Sequence, residues 1–194
     1  MEELYTTWKA IGVAGGDLSF FQDFFVKFYQ AFIEGDRWLQ YLNGVKTTLL
    51  VTALALILGI VLGVLVAMLR TAHDQQRPGH RNPILAVLNL ICKIYVTVIR
   101  GTPMMVQLLI MGFVIFASSR NFTMIGTLTL GINSGAYVSE IVRGGLMSVD
   151  KGQMEAGRSL GLNYMTTMRF IVIPQAIKAI LPALGNEFII LLKD

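Results

Sequence analysis

Polar side chains that could bind a solute lie inside the apolar stretches of this sequence of 194 residues. Asn133, Ser134 and Glu140 cannot face lipid acyl chains cheaply, so we expect them to face other helices or a wet path. Amide, hydroxyl, carboxylate and guanidinium groups bind polar molecules through hydrogen bonds and charge, and we assign no catalytic residue among them. The candidate residues of a pathway or its gate are Arg100, Gln107, Asn133, Ser134, Glu140, Asn186 and Glu187.

A structural role is the alternative for several of these residues. Asn133 and Ser134 would then only hydrogen-bond a neighbouring helix, and Glu140 would pair with Arg143 one turn later. If residues 124–142 cross the bilayer, Asn133 falls near the middle, the depth at which polar sites in membrane proteins tend to lie. Contact with a solute is therefore favoured more for Asn133 than for Glu140, which lies nearer the inner face.

The composition indicates a polytopic membrane protein, because 54% of the residues are hydrophobic and only 14% are charged. The net charge of +4 comes from basic residues beside the apolar spans, where they set orientation, so we expect no nucleic-acid partner.

Cys92 alone supports neither a disulfide framework nor a thiol metal site. His73 and His80 share a polar loop without a third ligand, so we expect no metal. The start of the sequence has no basic region before an apolar core, so we expect no cleaved signal peptide.

Long apolar stretches predict an all-α fold with about four membrane-spanning helices, since about 20 apolar residues cross a bilayer. In the second stretch, an amphipathic lead-in becomes a membrane helix with a bend at Gly101 and Pro103. Gly59 and Gly63 give the first span a face of small residues for close helix contact. The predicted spans are residues 45–69, 84–117, 124–142 and 171–192.

Basic loops set the predicted orientation. Residues 70–83 carry three arginines against one aspartate, and residues 143–170 also carry an excess of basic side chains. Loops of this kind remain on the cytoplasmic side. The N-terminus is therefore expected outside, and four spans would leave Asp194 outside as well.

Residues 1–43 form a separate extracytoplasmic or interfacial segment in this interpretation, and residues 44–194 form the membrane domain. The segment has phenylalanines at helical spacing, which predicts an amphipathic helix on the membrane surface with Trp38 and Tyr41 near the interface. A helix packed on the protein itself is the alternative. The phenylalanines are Phe20, Phe21, Phe24, Phe25, Phe28 and Phe32.

A polar island with regularly placed glycines separates the last two apolar spans. Residues 151–162 can form a short helix on which Gly157 and Gly161 leave a bare stripe for another surface. Asn163 is a suitable N-cap for a second helix from residue 164, which Pro174 would break or kink. Two short helices joined at a glycine predict a knob that fits the groove of a partner. The alternative is an ordinary cytoplasmic loop whose glycines merely permit turns.

Three motifs in this sequence resemble those of ABC-importer permease subunits. Glu155-Ala156-Gly157, then Gly161, then Ile171 to Pro174 resembles the family's EAA loop, EAA-x3-G-x9-I-x-L-P. Gly157 replaces the second alanine of that loop and Ile173 replaces its leucine. RGTPMMVQ from Arg100 and NSGAYVSEIVRGG from Asn133 resemble segments of the branch that carries polar amino acids such as histidine, glutamate, glutamine, arginine and opines.

The resemblance implies a type I importer fold with a fifth span beyond Asp194, in a bacterial inner or plasma membrane. It implies a second permease subunit, identical or homologous, and an extracytoplasmic solute-binding protein. Two cytoplasmic ATPase subunits would bind ATP and Mg, since this chain has no G-x4-GK[ST] loop and would itself hold no cofactor. The residues expected to couple to the ATPases are Gln153, Glu155, Ala156, Gly157 and Gly161.

The resemblance also implies that the polar residues bind an amino acid. A zwitterionic amino acid needs acceptors for its ammonium and donors for its carboxylate, and these side chains supply both. Glu140 and Arg100 would then belong to a gate or its electrostatic frame. Other interpretations are a permease of the same architecture for methionine or an organic anion, and a passive channel or membrane anchor. A channel needs no ATPase dock and conducts without nucleotide.

Overall fold

The computed structural model describes residues 1–76 and 82–193, and these residues form helices joined by turns. Arg77, His80 and Arg81 of the predicted basic loop lie outside the described residues, as does Asp194. The chain divides into two compact units, Met1–Thr48 and Leu49–Asp194. The helices are α1 (Glu2–Val13), α2 (Phe20–Phe32), α3 (Arg37–Asp74), α4 (Pro83–Gly101), α5 (Met104–Ile110), α6 (Phe122–Met147), α7 (Lys151–Ser159), α8 (Tyr164–Thr167) and α9 (Ile173–Lys193).

In the first unit, α1 and α2 pack against each other through aromatic rings. Tyr5 stacks on Tyr29 with ring centroids 4.2 Å apart, and Trp8 meets the edge of Phe25 at 5.3 Å. Phe25 therefore lies on the inner face of α2, and the predicted single face of six phenylalanines is wrong for this residue. The exposed rings are Phe20, Phe21, Phe24, Phe28 and Phe32.

Within the described residues, three helical stretches are long and apolar enough to cross a membrane: Glu34–Asp74, Pro83–Gly101 and Tyr164–Lys193. The predicted span at 84–117 is two helices instead of one, because Thr102 and Pro103 both have extended backbone. Proline disfavours the helical conformation in the residue before it, so α4 ends there. Beyond the break, Met104–Ile115 is a shorter apolar stretch that ends in a π-helical turn at Met111–Ile115.

The predicted span at 124–142 lies in α6, which is 26 residues long but is not among the three apolar stretches. Its lower apolarity is compatible with its position, because other helices cover it. There is no room for a side chain at Gly59 of α3, since an added Cβ would lie 2.7 Å from the Ser134 Oγ. A Cβ added at Gly63 would collide with Val138 in the same way. The predicted close-contact face of α3 is confirmed. Gly145, near the other end of α6, lies against Ile180 of α9.

Two predicted boundaries need correction. The first span extends to Asp74, so Arg70 is a buried residue of α3 and not part of a loop. Pro174 also does not break the last helical stretch, which continues from Tyr164 to Lys193. A π-helical turn at Met168–Val172 precedes this proline. Proline has no N–H to bond a carbonyl of the preceding turn, and such local rearrangements accommodate it within membrane helices.

Candidate functional site

A cavity of about 430 Å³ lies in the second unit, where the break between α4 and α5 faces α6 and α9. Three of the predicted pathway residues line this cavity: Arg100, Asn133 and Glu187. The other lining residues are Gly101, Thr102, Pro103, Met104, Tyr137, Ile190 and Leu191.

Charged groups of both signs surround the cavity. The Arg100 guanidinium lies over the Tyr137 ring, 5.1 Å from its centroid, and its Nη1 is 3.8 Å from Glu140 Oε2. The other Glu140 oxygen binds Nη1 of Arg70, so this carboxylate bridges arginines of α3 and α4. Glu187 is only 5% exposed and lines the cavity from α9. A cavity with a guanidinium, a carboxylate and a carboxamide has the chemistry to hold a small zwitterion.

Gln107 lies behind the cavity wall and is 8% exposed. Its Nε2 donates to the carbonyls of Ile99 and Thr102 at 2.7 and 3.1 Å, and to the Thr102 hydroxyl oxygen at 2.8 Å. Its Oε1 accepts from Asn133 Nδ2 at 3.0 Å. Gln107 therefore bonds carbonyls freed at the helix break and also contacts a cavity-lining side chain.

The other four predicted pathway residues, Gln107, Ser134, Glu140 and Asn186, do not line this cavity. Ser134 is completely buried against Gly59 of α3, and Asn186 is exposed on α9. The alternative pairing of Glu140 with Arg143 is also wrong, because Arg143 Nη2 binds Asp74 Oδ2 at 2.8 Å.

Sequence reasoning missed two residues of the site. Tyr137 follows Asn133 by four residues, so helical spacing already placed them on one face and could have indicated its role. Arg70 gave no such signal, because its partner lies 70 positions away in the sequence.

The polar island folds as a helical hairpin of α7 and α8, which we call the coupling hairpin (residues 150–167). The Asp150 carboxylate accepts from the Gly152 N–H at 2.6 Å and caps α7, while Asn163 Oδ1 accepts from the Thr166 N–H at 2.8 Å and caps α8. The predicted N-cap at Asn163 is confirmed. Gly161 has a φ of +80°, a left-handed conformation that ends α7.

The two glycines of the coupling hairpin have different roles, so the predicted bare stripe is wrong. α7 ends at Ser159, which leaves Gly161 in the turn instead of on the helix face. Gly157 is buried, and a Cβ added to it would collide with the Thr167 side chain, lying 2.8 Å from Oγ1. The close approach that Gly157 permits is therefore between α7 and α8 of this chain.

The outer surface of the coupling hairpin remains open. Gln153, Glu155 and Ala156 are exposed, and Gln153 Oε1 accepts from Gln175 Nε2 at 3.2 Å. At its other end, the Tyr164 hydroxyl bonds Gln75, just beyond α3. A recess of about 800 Å³ adjoins this bond and is lined by Gln75, Met154, Arg158, Gly161, Leu162, Asn163 and Tyr164.

Comparisons with known proteins agree with the motifs. The family model described as "Binding-protein-dependent transport system inner membrane component" matches residues 84–194. The "Putative glutamine transport system permease protein GlnP" of Rickettsia typhi (strain ATCC VR-144 / Wilmington) is 36% identical over 174 residues, covering 88% of this chain and 72% of the relative. The "Glutamine transport system permease protein GlnP" of Escherichia coli (strain K12) is 40% identical over 115 residues, covering 56% of this chain. The chain spans 51% of that relative's length, and 66% of a further GlnP relative from Rickettsia prowazekii (strain Madrid E).

Solved structures give the same result for the fold. The chain is similar to a protein described as "Crystal structure of an amino acid ABC transporter with histidines", with a TM-score of 0.68 and 40% identity. That match covers 91% of this chain and 73% of the other. A structure of the MetNI methionine ABC transporter in an inward-facing conformation matches with a TM-score of 0.63 and 25% identity, over 80% of this chain and 71% of that one.

The family model covers more than half of the chain, a relative at 36% identity matches 88% of it, and a solved structure at 40% identity shares its fold. The resemblance seen in the three motifs is thereby confirmed. This chain belongs to the family of binding-protein-dependent transport system inner membrane components.

Proposed function

We propose that this chain is a permease subunit of an ATP-driven, binding-protein-dependent importer of polar amino acids. It would form the solute pathway with a second permease subunit, identical or homologous. ATP and Mg would be bound and hydrolysed by two cytoplasmic ATPase subunits, and an extracytoplasmic protein would deliver the solute. The relatives named for glutamine transport support a polar amino acid over an organic anion.

The observation that carries this proposal is the coupling hairpin. Its two caps, its glycine turn and the Gly157–Thr167 contact hold a small, rigid, polar body together from within. Its outer side chains, among them Glu155 and Ala156, are exposed. A rigid exposed body is suited to docking in a groove of a partner, because it loses little conformational entropy on binding. A passive channel has no need of such a body.

The cavity is the proposed amino acid site. Arg100 would donate to the carboxylate of the solute, and the acceptor groups of Asn133 and Glu187 would receive its ammonium. The cavity lies beside a broken helix, and membrane transporters often bind their solutes at such breaks because irregular backbone is tolerated where it lines a cavity. Glu140 and its two arginines would form the electrostatic frame next to the site.

The proposed orientation has the first unit outside and the coupling hairpin in the cytoplasm of a bacterial cell. The basic side chains of residues 143–170 support it. The exposed phenylalanines of α2 would then lie at the membrane–water interface on the extracytoplasmic side, where aromatic and apolar faces are favoured.

Cysteine cross-linking tests the docking directly. Cys92 is buried, so a cysteine introduced at Ala156, on the exposed surface of the coupling hairpin, would be the only accessible thiol in the described part of the chain. In native membranes, Ala156→Cys labelled with a maleimide that carries a photoreactive benzophenone should give a cross-link to an ATPase subunit on illumination, and excess ATP should change the yield of that cross-link. Ala14→Cys, an exposed position of the first unit, is the matched control and should give none. Equal cross-linking from both positions, or none from Ala156, would reject the docking assignment.

A further inference from the structure

Every group that meets the amide nitrogen of Gln107 is a hydrogen-bond acceptor. The carbonyls of Ile99 and Thr102 can only accept. The Thr102 hydroxyl also offers a lone pair, because its single proton is donated to the Val98 carbonyl at 2.9 Å. Turning the Gln107 carboxamide around would bring its oxygen against these three oxygens. Chemistry therefore fixes the direction in which the Gln107 side chain lies.

The direction of Gln107 in turn fixes that of Asn133. With its nitrogen committed to the helix break, Gln107 can present only its Oε1 to Asn133. An oxygen acceptor requires a donor, so the NH₂ group of Asn133 has to occupy this contact. The Asn133 carboxamide therefore points its nitrogen toward Gln107, and its oxygen is the end left for the cavity that Asn133 lines.

We propose that Gln107 is a positioning residue, which makes Asn133 present an oxygen to the α-ammonium group of the transported amino acid. This inference rests on the proposed function, since it takes the cavity as the amino acid site. An ammonium has donors only, so an oxygen facing the cavity attracts it and an amide NH₂ facing the cavity repels it. Gln107 thereby contributes to selectivity without touching the solute.

The test is binding of radiolabelled glutamine to the complex of this chain with its ATPase subunits in lipid nanodiscs. The solute-binding protein is left out, so that only the membrane site is measured. Gln107→Met removes the constraint on Asn133, and binding should weaken on the order of tenfold, the cost of one hydrogen bond to a charged group. The analogue 4-carbamoylbutanoate lacks the α-ammonium, and its competition for the site should change by less than about twofold, because the lost hydrogen bond is absent from its complex.

Rescue separates orientation from a merely structural role. Asp has an oxygen at both ends of its carboxylate, so Asn133→Asp presents an acceptor whichever way it turns. The double variant Gln107→Met/Asn133→Asp should therefore recover glutamine binding to within about threefold of the parent, a difference smaller than one such hydrogen bond. Ser139→Ala is the matched control, because it removes a buried hydrogen bond of the same helix away from the cavity, and it should bind normally.

Two results in assembled variants would overturn the proposal. The first is equal weakening of glutamine and 4-carbamoylbutanoate binding in Gln107→Met, and the second is absence of rescue in an assembled double variant. If Gln107→Met does not assemble, Asn133→Leu decides the question: the proposal requires that it weakens glutamine binding and leaves 4-carbamoylbutanoate binding within about twofold, and equal weakening of the two, or no weakening, rejects the proposal. A parent complex that binds no amino acid would reject the proposed function itself, and this inference with it.

Discussion

Two glycines of the coupling hairpin show how position decides the role of a residue. Gly161 supplies a left-handed turn, and two hydrogen bonds close that turn: Leu162 N–H to the Gly157 carbonyl and Gly161 N–H to the Arg158 carbonyl, both at 3.0 Å. This pattern is the Schellman ending of a helix. Gly157 instead supplies space, since its hydrogen atom allows Thr167 to approach.

Replacing Gly161 should loosen the coupling hairpin according to how well the new residue tolerates positive φ. Gly161→Val should cost about 1–2 kcal/mol, because a Cβ strains the left-handed conformation, and Gly161→Asn should cost clearly less. The measurement is hydrogen–deuterium exchange of the amides of residues 151–167, which should speed up in the order Gly, Asn, Val. Equal exchange in the Val and Asn variants would show that backbone conformation does not hold this turn.

Gly157→Ala should uncouple ATP hydrolysis from uptake, because the added Cβ collides with Thr167 and distorts the coupling hairpin. ATP-dependent uptake per assembled complex should fall at least severalfold, because α7 and α8 have to separate. Adding Thr167→Ala removes the Cγ2 and Oγ1 atoms and leaves the Thr167 Cβ at 3.2 Å, so the double variant should recover part of the uptake. Gly144→Ala is the matched control, because a Cβ added at this glycine of α6 meets nothing within 4 Å, and it should leave uptake unchanged. A double variant that is no better than Gly157→Ala would contradict this packing.

Local features of single residues could be predicted from the sequence, and distant pairings could not. The cap at Asn163 and the break at Pro103 follow from chemistry within a few positions of each residue. The bond between Gln107 and Asn133 joins residues 26 positions apart, and nothing in their spacing indicates it. The bare stripe predicted at Gly157 was assigned to another surface, whereas Thr167 of this chain fills the space, because a glycine in a sequence indicates that room is needed but not which side chain occupies it.

At the scale of elements, the Arg70–Glu140 pair joins α3 to α6 inside the helix bundle. The Arg70 side chain is 11% exposed and that of Glu140 is 35% exposed. The Arg143–Asp74 pair joins the same two helices nearer their ends, with side chains 28% and 43% exposed. Because screening by water weakens exposed pairs, the first pair should matter more than the second.

Neutralising the two pairs should therefore give different losses of stability. Glu140→Gln leaves the Arg70 charge buried beside a neutral amide, at a cost on the order of 2 kcal/mol, below that of a fully enclosed pair because Glu140 is partly exposed. Asp74→Asn should cost about 0–1 kcal/mol. Thermal unfolding of the two variants in the same detergent gives the comparison. A loss in Asp74→Asn as large as that in Glu140→Gln would contradict the burial argument.

Hydrophobicity predicted the helix at 124–142 but not the helices that cover it. The sequence pattern indicated a span at 124–142, and a helix does occupy these residues, but its surface is covered by α3 and α9 and it is less apolar than a lipid-facing helix. The bend predicted at Gly101 and Pro103 lies at the observed break, but the apolar residues on both sides of it predicted one bent span instead of the two helices α4 and α5. Hydropathy shows that a segment is apolar enough to be buried, and it does not show whether lipid or other helices surround that segment.

For the whole molecule, the family and the helical fold could be predicted from three short motifs, and the comparisons confirm both. The motifs carried this information because all three occur in one chain in the order that the family resemblance requires. The three relatives compared are longer than this chain, which spans 51–72% of their length. Transport activity, solute and partners are therefore proposals that need the assembled complex.

The measurement that tests the central proposal most directly is purification of the tagged chain from its native membrane, followed by reconstitution into liposomes. The ATPase subunits should co-purify with it. With the solute-binding protein added, each of the twenty amino acids is tested for stimulation of ATP hydrolysis and for uptake. We expect one or a few polar amino acids to stimulate both, and Glu155→Lys on the coupling hairpin to abolish both while the solute-binding protein still binds its ligand. Solute flux that continues without ATP, or that is unchanged by Glu155→Lys, would contradict the proposal.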